Sequence, residues 1–134
     1  EPIYNCGHWI PFQIAQAGGI DMLSNPAGDS IVTNWHKIVK YNPEVLVIAP
    51  CGFHIERAKE EMHLLMQKSG WDELEAVKTS QVYLADFDLF TQPSASTLID
   101  GIELLAELFH PSLFTLPSHL QNKTAVLNKM HLYV

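Results

Sequence analysis

The sequence predicts an α/β fold in which helices cover both faces of a central, mostly parallel sheet. Val45 to Ala49 is a continuous, β-branched-rich apolar run, the pattern of a strand buried on both faces of a parallel sheet. It stops at Pro50-Cys51-Gly52 and gives way to a stretch, His54 to Lys68, with Ile55, Ala58, Met62, Leu65 and Met66 at helical spacing. Strand and helix patterns also alternate along the rest of the chain, which is the order that parallel sheets with helical crossovers require.

The elements follow in order. Ile3 to Cys6 reads as a short opening strand, and the turn Gly7-His8-Trp9-Ile10-Pro11 leads into a helix with Pro11 near its first position and Gly18-Gly19 at its end. Gly28 to Thr33 is the next expected strand. Asn34 then caps a short helix with Trp35, Ile38 and Val39 on its inner face. After the Val45–Ala49 strand and its helix, residues 71–77 read as a loop with a helical turn, 81–85 as a strand and 86–96 as an irregular segment around Pro93. Residues 97–110 form the clearest helix, with Leu98, Ile102, Leu105, Ala106 and Phe109 as its apolar stripe and Pro111 at its end. Together these give a three-layer, Rossmann-like lobe over residues 1–113. Residues 114–134 are expected to be a C-terminal tail that packs as a helix or lies loosely, with Pro117 and Asn122 interrupting its period.

Composition narrows the function. A chain of 134 residues, 47% hydrophobic and 17% charged, fits one compact domain. A formal net charge of −7 with eight scattered Lys and Arg argues against nucleic acid as a partner. No run reaches the roughly 18 apolar residues of a membrane span, so insertion in a membrane is not expected. The chain begins Glu1-Pro2-Ile3 without an initiating Met, and it reads as a processed or excised portion of a longer polypeptide. Its compartment is left undetermined.

In parallel sheets ligands collect beyond the carboxyl ends of strands, which places Cys51, Gly52, Phe53 and His54 where a ligand could sit. Three chemistries compete there. Cys6, His8, Cys51 and His54 make a Cys2His2 set, but their spacing is not that of a structural zinc site. Cys6 and Cys51 could instead pair as a disulfide in an oxidising compartment. Cys51 with His54 one turn away has the outline of an activated thiol, yet no third orienting group is visible. There is no Gly-x-Ser-x-Gly elbow, phosphate-binding Gly-rich loop or His-Glu-x-x-His pair, so the expectation is a protein that is not an enzyme.

Gly7-His8-Trp9-Ile10-Pro11, Ala17-Gly18-Gly19-Ile20, Asn42-Pro43-Glu44-Val45, Ala49-Pro50-Cys51-Gly52-Phe53, Val82-Tyr83-Leu84-Ala85-Asp86 and residues 100–111 (ending Ala106-Glu107-Leu108-Phe109-His110-Pro111) occur in an order with a known parallel. Over residues 2–113 the chain resembles the carboxyl-terminal lobe of cobalamin-binding periplasmic substrate-binding proteins of ABC transporters. That family holds a corrinoid between two α/β lobes and delivers it to a membrane transporter, so the resemblance implies a corrinoid-like ligand, a transporter partner and an extracytoplasmic site of action. It implies no cofactor other than the corrinoid as ligand. It also implies that His8, Trp9, Cys51, Gly52, Phe53, Asp88 and Phe90 face the ligand, with Trp9, Phe53 and Phe90 against the macrocycle and Asp88 accepting hydrogen bonds from its amides. Thr91 to Ser96 departs from the family pattern, in which this segment carries two arginines. The alternative is a lobe that has lost its ligand and serves as a protein-interaction or homodimerisation domain. Local readings stand beside these roles: Trp9, Phe53 and Phe90 as core aromatics, Asp88 as a turn cap, and Glu56, Lys59, Glu60 and Glu61 as a solvated helix face.

Overall fold

The computed structural model describes residues 3–24, 28–91 and 94–127. Five strands and six helices alternate over these residues: β1 (Ile3–Tyr4), α1 (Ile10–Gln16), β2 (Val32–Thr33), α2 (Trp35–Tyr41), β3 (Leu46–Ile48), α3 (Ile55–Met66), α4 (Glu75–Lys78), β4 (Val82–Ala85), α5 (Asp88–Thr91), α6 (Ala95–Phe109) and β5 (Thr124–Leu127). The α/β class expected from the sequence is the one observed, but the central sheet is mixed where a mostly parallel one was expected, because β5 adds antiparallel to β4. β3 and β4 run parallel, with Val47 opposite Tyr83, and β5 joins antiparallel to β4, with Val126 opposite Tyr83. β1 and β2 form a separate antiparallel pair, locked by Asn5, whose side chain donates to Leu23 O and accepts from Ile31 N.

The period-2 alternation of β3 and β4 sorts the core into two layers. Val47, Tyr83 and Ala85 pack with Ala17, Leu89, Phe90, Leu104, Leu105 and Leu108 on the side of α1, α5 and α6. Leu46, Ile48, Val82 and Leu84 pack with Ile55, Ala58, Met62, Trp71 and Leu74 on the side of α3 and α4. Apolar side chains on both faces explain why β3 reads as a continuous rather than alternating run.

Local chemistry sets most boundaries. Pro11 sits in the first turn of α1, and Gly18 beyond its end takes φ +84°, a left-handed conformation that favours glycine. Asn34 caps α2 by accepting from Lys37 N at 2.9 Å, and Asn42 ends it in the left-handed region. α6 starts two residues earlier than expected because Ser94 and Thr97 form a capping box. Its inner face is also rotated from the expected stripe: Gly101, Leu104, Leu105 and Leu108 are buried, whereas Ile102 and Phe109 are half-buried. The cause is α1, whose buried Gln13 donates to Leu98 O at 3.0 Å and lies where a Cβ on Gly101 would be.

Two further expectations need correction. Asp86 to Ser96 is not wholly irregular, since Asp88–Thr91 makes a helical turn with Asp86 accepting from Asp88 N; Gln92 and Pro93 lie outside the described residues. Within the expected tail, Thr124–Leu127 is a strand of the sheet, not a helix or a loose end. Alternation buries Leu127, exposes Val126, and fits the open edge of β4; residues 128–134 lie outside the described residues. Among the described residues no helix is long and apolar enough to cross a membrane.

Candidate functional site

Because β3 and β4 are parallel, the loops that follow them, 49–54 and 86–88, emerge at the same sheet edge. β5 is antiparallel, so its first residues come to that edge too, and they bring Lys123. Phe87 N donates to Phe53 O at 3.3 Å and Asp86 N to Lys123 O at 2.8 Å, which ties the three segments together.

Asp86 is the hub. Its carboxylate is buried, 4% exposed, and takes Nδ1 of His54 at 2.8 Å, the backbone N–H of Asp88 at 3.2 Å and, at 3.9 Å, the Lys123 ammonium. Burial alone would push this carboxyl up, but the His54 and Asp88 hydrogen bonds and the Lys123 charge outweigh it and hold the group below the ordinary carboxylate range. Lys123 Nζ also donates to Asp88 Oδ2 at 2.8 Å, and that bond, with the two carboxylate charges, raises its pKa despite partial burial. Asp88 Oδ1 is buried without a partner. The His54 ring lies edge-on to Phe87 at 4.9 Å.

Gly52, at φ +83°, is exposed with no other side chain within 4 Å of the space its Cβ would fill. Phe53 is half-buried beneath the Arg57 guanidinium, 4.8 Å from ring centroid to Cζ, and Cys51 is exposed. His54, Asp86 and Asp88 are a trio of ligand-type side chains within 4.8 Å of one another.

The other expected residues are placed as follows. His8 is exposed at φ +56° and lies 3.8 Å from Asp29, and its backbone N–H donates to Gly28 O. Trp9 is half-buried at the start of α1, with its indole Nε1 buried and unpartnered. Phe90 is 5% exposed and belongs to the core beside α6. The structure therefore brings Cys51, Gly52, Phe53 and Asp88 to one edge, ties the His8-Trp9 turn to residues 28–30, and buries Phe90. Glu56 pairs with Lys59 and Glu61 with Arg57 on the exposed side of α3, as expected of a solvated face.

The alternative chemistries lose their geometry. Both cysteines are free thiols; Cys6 Sγ donates to Asp21 Oδ2 at 3.2 Å, and burial pushes its pKa up to about 12. His54 is turned to Asp86, not to Cys51. Sequence reasoning missed Asp86 and Lys123. Asp86 follows a strand, where polar groups often face a ligand, whereas nothing local marks Lys123, whose role depends on β5 pairing 40 residues from β4.

A family model described as periplasmic binding protein matches residues 4–89, well over half of the chain. The chain belongs to the periplasmic binding protein family. This periplasmic binding protein chain is 36% identical over 95 residues to the uncharacterized ABC transporter substrate-binding lipoprotein YvrC of Bacillus subtilis (strain 168), an alignment that covers 67% of the chain and 27% of that relative. It thus spans about a quarter of the relative's length. Its fold is similar to an ABC transporter substrate-binding protein from Listeria monocytogenes EGD-e, with TM-score 0.62 at 20% identity, covering 74% of this chain and 38% of the other. It is similar also to the TroA-like periplasmic binding protein FepB from Veillonella parvula, with TM-score 0.59 at 21% identity, covering 81% and 34%.

Proposed function

We propose that this periplasmic binding protein chain is a non-catalytic ligand-binding lobe that recognises a corrinoid or a related flat, metal-centred macrocycle and passes it to an ABC transporter. The observation that carries this reading is the edge where β3 and β4 end. It combines an open glycine turn at Gly52, an apolar ring at Phe53, and a polar hub of His54, Asp86, Asp88 and Lys123. A large planar ligand needs apolar area with a few fixed polar groups at its rim, and this edge supplies both. Trp9, half-buried at the start of α1, is the second aromatic that the resemblance puts against the macrocycle. Phe90, being buried, has no part in this reading, and His8 has at most a rim position.

Calorimetric titration of the full chain with cyanocobalamin, followed in parallel by tryptophan fluorescence, tests the reading. Saturable heat that Trp9→Ala and Asp88→Ala both weaken supports it. A folded chain that gives neither heat nor quenching would sink it.

A second reading, a domain that associates with a protein or with a second copy of itself, has its own support. Ile20 and Met22 are 84% and 78% exposed and Phe12 on α1 is 61% exposed, large apolar side chains of the kind that a partner surface covers. Sedimentation that reveals a concentration-dependent dimer, weakened by Ile20→Ser with Met22→Ser, would favour it.

A further inference from the structure

His54 occupies the residue just before α3, and its imidazole is 68% exposed. Both Asp86 oxygens lie within 3.0 Å of its Nδ1. An ionised carboxylate can only accept, so the proton of the neutral ring is on Nδ1 and Nε2 carries the lone pair. Nε2 has no hydrogen-bond partner among the described residues. A carboxylate that fixes one ring nitrogen while the other stays free is the arrangement by which proteins present imidazole to a metal.

The neighbouring groups decide what kind of metal. Lys123 Nζ stands 2.8 Å from Asp88 Oδ2 and 3.9 Å from Asp86 Oδ2, so a cation already occupies the space between the two carboxylates and offsets part of their charge. Asp88 Oδ1 is unpartnered but buried, so the free donor carried on an exposed side chain is Nε2 of His54. A bare divalent ion needs three or four protein ligands and would have to expel the lysine. A metal whose equatorial positions are already filled by its own macrocycle needs only one.

We infer that His54 Nε2 is a ligand-contacting group which coordinates the metal of a bound macrocycle at an exchangeable axial position. The inference rests on the reading that this edge takes a flat macrocycle. In the step, the Nε2 lone pair forms the bond to the metal and the axial water leaves with its own electron pair; the proton on Nδ1 stays between His54 and Asp86, and no oxidation state changes.

The test uses two probes on the full chain. Aquocobalamin has a water that can be displaced, whereas both axial positions of cyanocobalamin are occupied. Binding of aquocobalamin should shift its visible absorption bands. His54→Ala should abolish that shift and weaken aquocobalamin at least about tenfold, and Asp86→Asn should weaken it about tenfold by releasing the ring. His54→Ala should weaken cyanocobalamin less than aquocobalamin, because with cyanocobalamin no coordinate bond is lost. Aquocobalamin that binds with an unchanged spectrum and equal affinity to parent and His54→Ala would overturn the axial role while leaving the edge as a ligand site. Failure of both probes to bind the folded chain would remove the macrocycle reading and this inference together.

Discussion

Two carboxylates, half-buried Asp21 and buried Asp86, are held below the ordinary carboxylate range by opposite means. Asp21 accepts from Cys6 Sγ, Ser24 Oγ and the backbone N–H groups of Leu23 and Ser24, and these neutral donors outweigh its burial. Asp86 accepts from His54 and from Asp88 N, with the Lys123 charge nearby. The first cluster joins residues 6 and 21–24 and closes on itself. The second joins three chain segments at the end of a parallel strand pair and leaves one imidazole nitrogen, one glycine turn and one carboxylate oxygen unengaged. The difference teaches that a depressed carboxylate is not in itself a sign of function. What separates a loop staple from a candidate site is whether the donors are titratable side chains with capacity left over.

The comparison can be broken most sharply at the thiols. Raising Cys6 from 9.0 to about 12 leaves about a thousandfold less thiolate than an ordinary thiol has at neutral pH, so a thiol reagent should label exposed Cys51 rapidly and Cys6 only on unfolding. Equal labelling of both, read by mass spectrometry, would mean that the Asp21 cluster is open. The next largest effect is on stability. Asp86→Ala takes the acceptor from His54 and from the Asp88 backbone N–H, leaves Lys123 with Asp88 alone, and should cost about 2 kcal/mol, whereas Asp21→Ala exposes donors that water can reach and should cost about 1 kcal/mol; urea midpoints measure both.

Acid titration sharpens the same contrast. Both carboxyls have folded pKa values below the unfolded value of 3.8, so each contributes stability that is present above that pH and is lost as pH falls through the folded values. Asp86→Ala should flatten the acid limb of the stability curve. The smallest effect is that of salt. At about 1 M NaCl the Asp86 cluster, built on charges, should lose a few tenths of a kcal/mol, while the Asp21 cluster should not change. Equal salt sensitivity in the two variants would show that Lys123 is not part of the hub.

The sequence carried the fold where signals are local. A β-branched run marks β3, helical spacing marks α3 and α6, and Pro11, Asn34 and Gly18 mark helix ends, because capping and periodicity act within a few residues. The Cys51-Gly52-Phe53 turn was legible for the same reason, as the end of a strand ahead of a helix. What pairs across the chain was not. β5 is four residues of modest β-propensity, and only its register with β4 brings Lys123 to Asp88. The rotation of α6 is likewise a tertiary choice, made by Gln13 lying against Gly101. Phe90 is ligand-facing only by the resemblance, and the turn of α5 directs it into the core.

The central claim is that the edge formed by residues 50–54, 86–88 and 123 is where this chain meets its ligand. Amide and histidine side-chain chemical-shift mapping of the full chain during titration with aquocobalamin tests it directly. The account predicts saturable shifts concentrated at Gly52, Phe53, His54, Phe87 and Asp88. Shifts concentrated instead around the hollow of about 390 Å³ lined by Gln16, Ile102, Glu103 and Phe114, with the β3–β4 edge silent, would contradict it.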